Sequence, residues 1–132
     1  MGWYSGKVRE PLLDGVQVTL VGQAFIVAPF NIRRIRMTAA ARAVLREVGE
    51  GKQDADSDLA IGAITEIAAV ALSANYPDVT AAVLEENEAL RATDLSLVLE
   101  ALRTANGSGD QFAGEAGAPA TGASNAWATG ID

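Results

Sequence analysis

ITEIAAVALSANYPDVTAAVLEENEALRATDLSLVLEALRTANG, running from Ile64 to Gly107, holds an apolar helix, a proline-marked turn, an acidic helix and a leucine-rich helix in that order. The first is part of a longer segment, Leu59 to Ala74, that is apolar nearly all round and therefore reads as the central helix. Asn75-Tyr76 precedes Pro77, which disfavours helical geometry at Tyr76 and ends the run. Asp78 or Thr80 then caps a third helix reaching about Ala92, poor in large apolar residues and rich in Glu85, Glu86 and Glu88, so a peripheral position is expected. Thr93 or Asp94 caps a fourth, in which Leu95, Val98, Leu99 and Leu102 follow the i, i+3, i+4, i+7 rule, and Asn106-Gly107 closes it.

Upstream of the central helix, Asp54-Ala55-Asp56-Ser57-Asp58 places negative charge where a helix dipole favours it, with Ser57 or Asp56 as the cap. Asn31 caps another helix running to about Val48, with Ile32, Ile35, Ala39, Ala43 and Val44 at helical spacing and five arginines on the remaining arcs. Gly49 and Gly51 end it. Earlier still the period changes to two. Val16, Val18 and Leu20 alternate with Gln17 and Thr19, Gly22-Gln23 suits a type II′ turn, and Ala24 to Ala28 returns as a second strand. That register sets Leu20 opposite Phe25 and Val18 opposite Val27, with Val16, Val18, Leu20, Phe25 and Val27 on one apolar face. A lone ribbon of this kind is marginal and must lie on helices or on a partner.

The fold class expected is mainly α: a small N-terminal β-hairpin, a bundle of about four helices over residues 15–107, and a Gly/Ala-rich tail over 108–132. Residues 1–14 read as an arm, free to move. The tail holds Phe112, Trp127 and Ile131 as its only large apolar groups, a composition that does not offset the entropy of ordering and predicts flexibility.

Composition closes off several functions. Histidine and cysteine are both absent, which removes disulfides, thiolate nucleophiles, imidazole bases and nearly all zinc or haem sites. Asp54-x-Asp56-x-Asp58 opens like a calcium loop, but Leu59 stands where the turn glycine belongs and Thr65 where the bidentate glutamate belongs, so capping is the better account. No carboxylate pair, phosphate cradle or serine elbow converges on a reaction, and neither catalysis, metal nor cofactor is expected. The absence of an apolar leader core and of any 18-residue apolar run points to a cytoplasmic protein without a membrane span.

Charge is segregated. Residues 1–52 carry eight Lys/Arg against four Asp/Glu, a net +4, whereas residues 53–132 carry two against thirteen, a net −11. The acidic part would repel phosphates, so nucleic acid is a poor partner and a basic or mixed-charge protein surface a better one. The arginines at 33, 34, 36, 42 and 46 spread around their helix; solvation accounts for most of them, and contact with an acidic surface, including that of another copy, is the alternative.

From Val16 to Gly107 the order of parts resembles the small tail assembly chaperones of long-tailed bacteriophages. The residues that carry the resemblance are the apolar hairpin, the helix after Asn31, the apolar central helix, the Tyr76-Pro77-Asp78-Val79-Thr80 turn, and the leucine helix ending at Asn106-Gly107; the tail, with Ser108-Gly109-Asp110-Gln111 and Gly114-Glu115-Ala116, is similar too. The resemblance implies a non-catalytic assembly factor of the host cytoplasm that binds the tape measure protein, keeps it soluble and helps recruit tail tube subunits. Frameshift-extended products are also usual in that family. On this reading the partner-binding residues expected are Val18, Leu20, Phe25 and Val27 of the hairpin face, Ile32 and Ile35 beside it, and Trp127 in the tail, with self-association as a further use of the same face. The competing expectation is a structural virion protein, a head–tail connector or tail completion subunit whose arms order within a ring.

Overall fold

The computed structural model describes residues 3–107. Two strands, β1 (Val16–Leu20) and β2 (Gln23–Val27), form an antiparallel hairpin, followed by five helices: α1 (Ile32–Met37), α2 (Ala39–Gly49), α3 (Asp58–Ser73), α4 (Ala81–Glu86) and α5 (Ala92–Ala105). The expectations for the tail, Trp127 included, lie outside the described residues.

The hairpin turns at Val21-Gly22, one residue earlier than the glycine suggested. Both residues have positive φ, +48° and +82°, as a type I′ turn demands. Val18 therefore pairs with Phe25 and Val16 with Val27. Relative to the expected pairing this is a slip of two residues, and because side chains alternate with a period of two, the apolar face keeps its members. That face lies on α5 and α3 of the same chain. Gly15, just before β1, abuts the Val27 carbonyl so closely that a Cβ would overlap it.

The helix expected from Asn31 to Val48 breaks at Thr38. Asn31 does cap its start, its Oδ1 accepting from Arg34 N at 2.9 Å. Thr38 is fully buried and its hydroxyl donates to Arg34 O at 2.9 Å, while Arg42 Nη2 donates to Ile35 O at 2.6 Å. Thr38 N still bonds Arg34 O at 3.2 Å, whereas Ile35 O is met by the Arg42 guanidinium, so the axis can turn there without orphaning that acceptor.

Helix α3 is the centre of the fold. Ser57 caps it through a bond from Ala60 N at 3.1 Å, and it buries Ala60, Ala63, Ala68, Ala69 and Ala71 together with Ile67 and Leu72. Alanine on so many sides lets neighbours approach closely, and α2, α5 and α4 all pack against it. The acidic helix is shorter than expected, ending at Glu86. Asn87 leaves helical geometry and its Oδ1 accepts from Ala89 N at 3.0 Å, a local bond that competes with helix continuation. Only Leu84 of α4 is buried, as befits a peripheral helix. Helix α5 begins at Ala92, earlier than the expected caps, with the Asp94 carboxylate accepting from Arg91 N at 2.9 Å. Its buried residues are Leu95, Val98, Ala101 and Leu102, with Leu99 half-buried.

Candidate functional site

The turn between α3 and α4 organises one side of the molecule. Asn75 is fully buried, and its amide joins three segments: Oδ1 accepts from Leu13 N at 2.7 Å, while Nδ2 donates to Leu13 O at 3.1 Å and to Ile26 O at 3.2 Å. Its carbonyl accepts from Arg9 N at 2.6 Å. The Tyr76 hydroxyl oxygen accepts from Ile26 N at 2.8 Å. Asp78 accepts from Lys7 N at 2.8 Å. Residues 3–14, expected to move freely, are thus strapped along the hairpin and this turn.

The strap ends in aromatics. Trp3 Nε1 donates to Leu20 O at 2.9 Å, and the Gln23 amide bonds Tyr4 in both directions, accepting from its N–H and donating to its carbonyl. Tyr4 and Phe25 each meet Tyr76, with ring centroids 5.9 and 5.0 Å apart and edge-to-face planes, and Trp3 lies 5.4 Å from Phe25. The Tyr4 hydroxyl donates to Lys7 O at 2.6 Å. Burial, and after it the charge of Asp78, holds the Tyr4 phenol above its ordinary pKa.

These packings revise the expected binding face. Val18, Leu20, Phe25 and Val27 are all buried against the chain's own helices, so they form no open surface. Ile35 is half-buried and packs on the same core. Ile32 alone of the described candidates stands in solvent, 77% exposed. Further uncovered apolar side chains not singled out by sequence are Met37 on α1, Leu59 and Ile61 on the first turns of α3, and Leu97 on α5. For Leu59, Ile61 and Leu97 the signal in the sequence is faint, since each belongs to a helix with many apolar residues in the core.

Among the described residues the one ion pair is Lys52 with Glu50, at 3.3 Å and exposed. The five arginines of α1 and α2 have no carboxylate partner within salt-bridge distance among these residues, nor have Glu85, Glu86 and Glu88 a cationic one. Arg42 is partly buried without a counter-ion; burial, then repulsion from Arg46, lowers its pKa. Among the described residues no three acidic side chains gather as metal ligands would, and no helix is long and apolar enough to cross a membrane. Asp54 serves the loop instead, its Oδ1 accepting from Asp56 N at 3.1 Å.

No family model, curated protein or solved structure matches the chain.

Proposed function

We propose that this chain is a tail assembly chaperone of a long-tailed bacteriophage, a non-catalytic factor of the host cytoplasm that holds the tape measure protein soluble and helps recruit tail tube subunits. The observation that carries the reading is a core complete within one chain, beside apolar helical side chains left in water and arginines left without carboxylates among the described residues. Ile32 and Met37, with Arg33, Arg34 and Arg36 around them, suit a partner helix that offers apolar and acidic residues in alternation. A long helical protein awaiting its tube has such surfaces to shield. The order of elements that the resemblance implies is also the order in which they occur here.

Co-expression tests it. Tape measure protein should remain soluble with this chain present and co-elute with it on gel filtration; insoluble tape measure protein and no complex would end the reading. Ile32→Glu combined with Met37→Glu should weaken the complex by about tenfold or more while leaving the melting temperature within a few degrees, because neither side chain belongs to the core. Stoichiometric recovery of the chain from purified virions would favour a connector or completion subunit instead.

A further inference from the structure

We infer that the outer edge of β1 pairs with the same edge of a second copy, joining two hairpins into one four-stranded sheet across a twofold axis. In a two-residue hairpin the closing pair is hydrogen-bonded and bonded pairs alternate, so Leu20, Val18 and Val16 direct their main-chain groups at β2, and Gln17 and Thr19 direct theirs outward. The other edge is engaged at its middle: Ile26, the outward residue paired with Gln17, gives its N–H to Tyr76 and its carbonyl to Asn75. Nothing equivalent guards β1. Among the described residues no hydrogen bond reaches the outward N–H and C=O groups of Gln17 or Thr19, and both side chains are exposed.

Edge strands are ordinarily blunted by lysine, proline, a bulge or an inward-facing charge. The run Val16-Gln17-Val18-Thr19-Leu20 has none of these. It is also self-complementary. Antiparallel pairing about Val18 sets Gln17 against Thr19 of the second copy and Thr19 against its Gln17, and these outward-facing residues would exchange both main-chain bonds at each pair. Val18 then meets its own counterpart and Val16 meets Leu20, so apolar residues lie beside apolar ones on the helix-covered face and polar beside polar on the other. The same register brings Asp14 of each copy near the neutral tip at Gly22 of the other, and no like charges oppose. Two strands alone are a marginal sheet, while four with helices on one face form a stable layer.

Sedimentation of the full chain from about 1 to about 500 μM, with amide exchange measured at both ends of that range, tests the pairing. The expected result is a monomer–dimer equilibrium in which the Gln17 and Thr19 amides exchange at least about tenfold more slowly at the high concentration. Gln17→Lys with Thr19→Lys puts lysines directly opposite each other twice and should weaken the dimer by about tenfold or more, whereas the neutral exchange Gln17→Thr with Thr19→Gln should dimerise as the wild type does. A wild-type chain that stays monomeric throughout, with both amides unprotected, would overturn the inference without touching the chaperone reading. So would a dimer indifferent to the lysine pair, or protection of these amides that arises only when a different polypeptide is added.

Discussion

Val21 holds a φ of +48° at an exposed hairpin tip, a conformation that a β-branched side chain adopts at a cost of about 1–2 kcal/mol. Val21→Asn, which makes the preferred Asn-Gly pair of a type I′ turn, should stabilise the chain by about 1 kcal/mol and raise its melting temperature by roughly 4–8 °C. Asn75 is the opposite case, a polar group with no exposure and three side-chain hydrogen bonds. Asn75→Ala leaves the Leu13 and Ile26 main-chain groups short of partners and should cost about 2–4 kcal/mol in urea unfolding. The Tyr4 phenol titrates higher in the fold than in the unfolded chain. Its contribution is therefore complete below the ordinary tyrosine pKa and is lost as pH rises through the raised value, since the unfolded chain gives up the proton first. Stability measured upward from neutral pH should fall in the alkaline range, and Tyr4→Phe should fall less steeply there; parallel curves would refute the assignment.

Among the elements, the hairpin, the central helix and the leucine helix are legible in the sequence because each has a single unambiguous period. Their junctions are less so. Residue preference places glycine first in the hairpin loop, yet the loop falls on Val21-Gly22, and only the two-residue period saves the face. The Asn31–Val48 pattern reads as one helix because Ile32, Ile35 and Ala39 keep helical spacing; the break is accompanied by a buried Thr38 and by the Arg42 guanidinium on the Ile35 carbonyl, which no periodicity displays. Leu99 matches the spacing rule as well as Val98 does, but it is half-buried while Val98 is fully buried. Accordingly Val98→Asp should abolish the cooperative melting transition, because the carboxylate would lie among apolar neighbours without a partner, whereas Leu97→Asp on the exposed arc should move the midpoint by only a few degrees.

At the scale of the whole molecule, hydropathy tells that the hairpin face is covered without telling by what. The face on Val18, Leu20, Phe25 and Val27 has the pattern of a binding surface and is core, whereas Leu59 and Ile61 have the pattern of core and lie in solvent. With one exposed ion pair among the described residues and a net charge of −7, added salt should leave the melting temperature unchanged or raise it slightly by screening self-repulsion. A steep loss between about 0.05 and 0.5 M NaCl would reveal attractive charge contacts within the fold. The strap has a kinetic corollary. Its hydrogen bonds join residues 62 and 71 positions apart, so the amino end waits, during synthesis, for the Asn75–Asp78 segment to emerge before it can settle. Loop closure over such spans slows assembly far more than it weakens the product, because the entropic cost grows only with the logarithm of length. A bulky fusion at the front of the gene product should accordingly retard maturation, with little effect once the knot of aromatic rings has closed.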